Sequence, residues 1–126
     1  MGINLGISNL TEINPYNDIF AGLHPTMEVS EILIVAGQNL KRGACLGLIT
    51  AEANPDKGKY KLWDEDSTDG SEALVGILGC DVDATIADGK GFMYFHGEFL
   101  KSGLSAGHEI IPDVYNNGSI VIKEDK

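Results

Sequence analysis

Histidine and aspartate have the most evident capacity for chemistry in this sequence, because they bind metals and move protons. The three histidines, His24, His96 and His108, are widely spaced, and none has a second histidine or a cysteine at the separations that zinc sites use. We expect surface or half-buried side chains at these positions. Gly89-Lys90-Gly91 lacks the downstream residues of a phosphate-binding loop, and no Gly-x-Ser-x-Gly segment occurs.

An acidic segment from Asp64 to Glu72 is the candidate for cation binding. Asp64, Asp66 and Asp69 are spaced as in a calcium loop, where carboxylates at alternate positions converge on one ion. The sixth position of that pattern requires glycine for a sharp turn, but it holds Asp69, and Gly70 comes one residue late. A solvated acidic loop is therefore the preferred interpretation.

Asp81 and Asp83 could act as a paired general acid and base, because alternate residues of a strand place both carboxylates on one face. Asp88-Gly89 follows closely, so a role in initiating a turn is the alternative. No nucleophile, base and orienting group come together in the sequence. We predict that the protein is not an enzyme, with no catalytic residue, metal or cofactor.

Length and charge restrict the class of protein further. The chain has 126 residues, enough for one compact domain, and 19 acidic against nine basic residues give a formal charge of −10. This surplus opposes binding to a phosphate backbone, so nucleic acid is not an expected partner. No apolar run reaches the length of a membrane span and no export signal is evident, so we expect a soluble, unsecreted protein with Cys45 and Cys80 as buried reduced thiols.

Residues 1–26 differ from the rest of the chain in their pattern of apolar and polar residues. Apolar residues are scattered among Asn, Ser and Gly without sustained alternation, which indicates a largely extended N-terminal arm. Within it, Asn14, Pro15 and Gly22 favour one short helix, and a surface loop is the alternative. The domain prediction is an arm over 1–26 and a β-rich domain over 27–126.

From residue 27 onward, short apolar runs separated by glycine and polar turns predict an all-β fold with few short helices. A polar connection over 37–43 joins the first two runs, and Asn116-Asn117-Gly118 marks a turn before the last run. The predicted strands are Val29 to Val35, Ala44 to Thr50, Tyr60 to Trp63, Leu74 to Cys80, Gly91 to Phe95, Glu98 to Leu100 and Ile120 to Ile122.

Four segments resemble the head decoration proteins of lambda-type tailed bacteriophages. They are Ala36 to Gly47, Gly58 to Asp64, Thr68 to Leu78 and Phe92 to Lys101, so the resemblance covers about residues 27 to 101. It implies a small β-clip domain of bent hairpin ribbons that forms a homotrimer and catalyses no reaction. It also implies binding to the major capsid protein on the outer surface of the expanded head, in a virion whose proteins are made in the host cytoplasm.

If the chain is a decoration protein, its composition indicates which residues contact the capsid and which form the trimer interface. The aperiodic, apolar arm is the expected capsid contact, and its candidate residues are Ile3, Leu5, Ile7, Tyr16, Ile19 and Phe20. The strand around Gly76 permits close approach of another backbone, which gives as trimer-interface candidates Trp63, Leu74, Gly76 and Leu78. The alternative function is a carbohydrate- or surface-binding β module in which Trp63 and nearby acids form a shallow site.

Overall fold

The computed structural model describes Ile19 and residues 27–124, and it confirms the prediction of an all-β fold. Within 27–124, helical structure is limited to a 3-10 turn at Lys101–Gly103. The strands are β1 (Met27–Ile34), β2 (Gln38–Leu40), β3 (Cys45–Leu48), β4 (Tyr60–Leu62), β5 (Gly76–Leu78), β6 (Val82–Ala84), β7 (Gly89–Leu100), β8 (Asp113–Tyr115) and β9 (Ile120–Lys123).

One sheet contains seven of these strands, in the order β1-β4-β3-β5-β7-β9-β8. An additional antiparallel pairing between β1 and β7 closes five of the strands into a ring. The 12-residue β7 pairs with β1 and β5 through its first part and with β9, in parallel, over Gly97–Leu100. Strands β2 and β6 form a separate antiparallel ribbon. The clip-like arrangement of bent ribbons stays a prediction.

Two core clusters occupy opposite faces of the central strands. Neighbouring residues of a strand point to opposite faces, and Cys45 packs in one cluster while Leu46 packs in the other. Ile77 and Leu78 divide in the same way, and all four are fully buried. Strands β3 and β5 are thus covered on both faces, which explains why they consist of continuous apolar runs instead of alternating ones.

Several predicted boundaries change. The connection over 37–43 contains β2, and Asp113–Tyr115 forms a strand that the sequence did not indicate. The two runs predicted on either side of Gly97 are one continuous strand, in which Gly97 adopts a φ of 150° that other residues rarely adopt. The turn predicted at 116–118 is confirmed: Asn116 and Asn117 have φ of 54° and 58°.

Candidate interaction surfaces

The residues predicted to contact the capsid fall into two groups. Ile3, Leu5, Ile7, Tyr16 and Phe20 lie outside the described residues, as does the predicted short helix apart from Ile19. Ile19 has no exposed surface and packs in the same core cluster as Trp63 and Phe99. A side chain held this deeply in its own domain has no surface left for a partner.

The four trimer-interface candidates lie inside the single chain. Leu74 is 3% exposed, Leu78 is fully buried and Gly76 is also buried. The close approach that Gly76 permits is intramolecular: a Cβ added there would lie 2.3 Å from the Met93 sulfur. No side chain of this set is presented to solvent, and its role in a trimer stays a prediction.

Trp63 is the fourth of these candidates and is a core residue, 3% exposed. Its indole Nε1–H donates to the Glu72 carbonyl oxygen at 2.9 Å, and the His108 ring packs edge-on at a centroid distance of 4.3 Å. The Tyr115 ring also packs edge-on against Trp63, at a centroid distance of 5.2 Å. Trp63 therefore has no face available for stacking on a sugar, and the shallow carbohydrate site that we considered around it is wrong.

The acidic loop, residues 64–72, directs its carboxylates to its own backbone. Asp69 Oδ1 accepts hydrogen bonds from the Ser71 hydroxyl at 2.6 Å and the Ser71 N–H at 3.0 Å, and Lys61 Nζ lies 3.2 Å from Oδ2. The Ser71 bonds, with Lys61, lower the pKa of Asp69 to about 2. Asp64 accepts from the Asp66 N–H at 3.0 Å. Within residues 19 and 27–124, no three metal-binding side chains converge, here or elsewhere.

The other candidates for chemistry also have structural partners. Asp81 accepts from the Arg42 backbone N–H at 2.8 Å, and Asp83 accepts from both the N–H and the hydroxyl of Thr85. His108 Nδ1 accepts from the Glu65 N–H at 3.3 Å. His24 lies outside the described residues. These carboxylates and this imidazole each accept a hydrogen bond from the backbone of another residue.

An open groove beside β7, which we call the aromatic groove, is a surface that the sequence did not indicate. It is lined by Arg42, Gly79, Cys80, Asp81, Phe92 and Tyr94 and has a volume of about 460 Å³. The two aromatic rings meet edge-on at 5.6 Å, and the Arg42 guanidinium donates to the Gly79 carbonyl oxygen at 3.0 Å. Aromatic residues and arginine are the types enriched in protein interfaces, which makes the groove a candidate contact surface.

The connection between β6 and β7, residues 85–88, is a second surface, here called the Ile86 loop. Ile86 is 93% exposed at its tip. The loop is held at its base, where Asp83 bonds Thr85 and Asp88 accepts from the Ala36 N–H at 3.0 Å. Asp88 also pairs with Lys59 at 2.7 Å. The Ile86 side chain is therefore an exposed apolar projection on a loop that is tethered at its base.

Apolar side chains are also exposed in β8 and just before it, Val114 at 55% and Ile111 at 62%. Edge strands expose unpaired N–H and C=O groups that attract other strands. Here the Val114 N–H donates to the Asp113 carboxylate at 2.7 Å, so an outward donor of this short strand is already bonded. The β8 edge is thus a poorer docking strand than its position suggests.

Comparison with known families decides among the functions considered. A family model described as Bacteriophage lambda head decoration protein D matches residues 11–110. The chain belongs to this family of phage head decoration proteins. A search of curated proteins gave no match. Family membership confirms the resemblance and implies association with the phage capsid.

The match to the decoration proteins is wider than the stretch of about 27 to 101 that resembles them in sequence. It begins within the predicted arm and includes Ile19, which agrees with the burial of that side chain in the domain. The aromatic groove and the Ile86 loop lie inside the match, whereas β8 and β9 lie beyond it. Among the described residues, no helix has the length and apolar character of a membrane span.

Proposed function

We propose that this decoration protein binds the outside of the expanded phage head as a homotrimer and stabilises the shell against the pressure of the packaged DNA. The observation that carries the proposal is the family match over residues 11–110. The match covers most of the β domain, and membership of this family implies association with the phage capsid. A protein that binds one state of a two-state shell stabilises that state in proportion to the difference in affinity.

The small size of the domain supports a trimer as the binding unit. Among the described residues, the exposed large apolar side chains are Leu33, Ile86, Ile111 and Val114, so the affinity of one such domain for the shell is expected to be low. When one subunit of a trimer has bound, the other two engage their sites at a high effective concentration, and weak contacts add to tight binding. The formal charge of −10 fits a protein outside the shell, away from the packaged DNA.

The N-terminal arm is the capsid contact that we propose, through Ile3, Leu5, Ile7, Tyr16 and Phe20. Its composition supports addition of a strand to an exposed sheet edge of the shell protein, because main-chain hydrogen bonds and alternate apolar side chains suit that mode of binding. Ile19 is left out of the contact because it is buried in the core. Hydrogen exchange tests the arm: amides of residues 1–13 are expected to gain protection on heads, and equal protection in free protein contradicts the proposal.

The direct test is binding to heads before and after expansion. Purified protein is mixed with unexpanded and expanded heads that lack decoration protein, and bound protein is measured after sedimentation. We expect binding to expanded heads alone, and a rise in the temperature at which these heads release DNA. Expanded heads that neither bind the protein nor gain resistance to heat would refute the function.

A pair of variants assigns the contact to the arm. Leu5→Asp with Ile7→Asp places charge at two proposed contacts and is expected to weaken head binding at least tenfold. Asn9→Asp, a polar position of the same arm, is the control for added charge. Equal binding by the double variant and the control would move the contact to another part of the molecule.

A further inference from the structure

Among the described residues, the chain carries both a projecting surface, the Ile86 loop, and a concave one, the aromatic groove. In a ring of identical subunits, two different surfaces of this kind meet at each boundary between neighbours. In a cyclic trimer every contact is heterologous: one patch of each copy meets a different patch of the next.

The Ile86 loop is already fixed in place before any partner binds. The bonds from Asp83 to Thr85 hold one side of it, and Asp88 joins the other side to Ala36 and Lys59. A loop that is ordered in advance loses little conformational entropy on docking, so more of the contact energy appears as affinity. Burial of the 93% exposed Ile86 side chain removes apolar surface from water in the same step.

The aromatic groove is equally well supported from beneath. Phe92 rests on the backbone of Gly79, where an added Cβ would lie 2.1 Å from the ring. Tyr94 packs edge-on against Phe92, and the Arg42 guanidinium lies 6.0 Å from the Tyr94 ring centroid. Half-buried aromatic walls of this kind provide apolar surface for an aliphatic side chain.

The loop tip lies away from the groove of its own chain, since the Ile86 side chain is 93% exposed. An added Cβ at Gly91 would meet Val82 and Cys80, and one at Gly89 would meet Val82 and Ala84, so β6 and the start of β7 run side by side. The connection that holds Ile86 lies at one end of this pair, and Cys80 in the groove lies at the other. A contact between them requires a second copy.

We infer that the Ile86 loop of one copy docks in the aromatic groove of the next copy, and that repetition of this contact closes the trimer. The inference rests on the proposed homotrimer and names its subunit boundary. Two other exposed apolar residues are less suited: Leu33 is 38% exposed and neighbours the Glu31–Lys90 ion pair, and Val114 lies beside the blocked edge at Asp113.

Cys80 provides a direct test, because it lines the groove. The variant Ile86→Cys places a second thiol at the loop tip, and mild oxidation with diamide is expected to join position 86 of one copy to Cys80 of the next. Denaturing gels without reductant should show linked dimers and trimers and nothing larger. Burial raises the pKa of Cys45 to about 12 and makes it a poor competitor.

Two controls identify the linkage. Ile86→Cys combined with Cys80→Ser retains the new thiol and removes its proposed partner, so linked trimers should disappear. Val114→Cys places a thiol at an exposed site on β8 and should not join to Cys80 above background. Wild-type protein that sediments as a trimer while Ile86→Cys gives no linkage to Cys80 would overturn the inference.

Head binding, measured on the same preparations, separates this inference from the proposed function. Ile86→Asp is expected to weaken trimer formation at least tenfold by sedimentation, whereas Leu33→Asp is expected to keep it. An Ile86→Asp protein that remains trimeric but loses head binding would overturn the subunit contact and place the loop on the capsid. Wild-type protein that neither self-associates nor binds expanded heads would refute the proposed function itself.

Discussion

The acidic loop and the Ile86 loop are both aspartate-containing connections, yet they use their side chains in opposite ways. In the acidic loop, Asp69 bonds Ser71, and the Glu72 carbonyl oxygen accepts from the indole N–H of buried Trp63. In the Ile86 loop, carboxylates tie the base and an isoleucine is left in solvent. The charged loop is thus part of the fold, and the apolar tip is available to a partner. Changes in the first should affect stability, and changes in the second should affect assembly.

Trp63→Ala is the largest expected disruption. Removal of a buried tryptophan costs about 3–5 kcal/mol, and the Glu72 carbonyl oxygen also loses its indole donor. Urea unfolding at one fixed protein concentration measures the loss. A variant that keeps its stability but no longer sediments as a trimer would instead support Trp63 as an interface residue and weaken the contrast between the loops.

Gly47→Ala tests how tightly the acidic loop is seated on β3. A Cβ at this position would lie 2.3 Å from the Ser71 carbonyl oxygen, which is backbone and cannot rotate away. We expect a loss of about 3 kcal/mol, the upper part of the range for overpacking. Gly58→Ala is the control, because a Cβ added there would have no atom within 4 Å. Its only expected cost is the strain of an alanine at a φ of +94°, a loss of about 1–2 kcal/mol in the free energy of unfolding. Equal losses would show that the loop moves to make room.

Ser71→Ala tests the hydrogen bond between the Ser71 hydroxyl and Asp69 through its pH dependence. The pKa of Asp69 is lowered to about 2, first by the Ser71 hydroxyl, so this contribution to stability is present above pH 4 and is lost as the pH falls towards 2. We expect Ser71→Ala to cost roughly 1–2 kcal/mol at pH 7 and much less near pH 2. Unfolding free energies of both proteins across this range measure the difference. A cost that does not change with pH would assign it to packing of the hydroxyl group.

The all-β fold was predictable because its strands are apolar runs bounded by glycine and polar turns. The ribbon of β2 and β6 was not, since Asn39 and Asp83 are residues that strands usually lack and each strand has only three positions. The ring closure between β1 and β7 joins residues far apart along the chain, and no local pattern encodes such a pairing.

The candidate surfaces were harder to foresee than the strands. Trp63 appeared suited to an interface because it borders charged residues, but its indole N–H is bonded to the Glu72 carbonyl and its rings pack inward. The signal for Ile86 was present, an isoleucine within a short turn that ends in Asp88-Gly89. Only the fold shows that its side chain is exposed, since sequence spacing does not tell which loop folds back on its own domain.

Of these substitutions, Ile86→Ser should have the smallest effect on the stability of the fold. A 93% exposed side chain contributes little packing within its own chain, so the free energy of unfolding should change by less than about 0.5 kcal/mol. The measurement belongs at low protein concentration, because a subunit contact would otherwise stabilise the wild type through mass action. A loss above about 1 kcal/mol that persists on dilution would mean that Ile86 packs on its own chain. A loss that appears only at high concentration would show that the stabilising contact lies between copies.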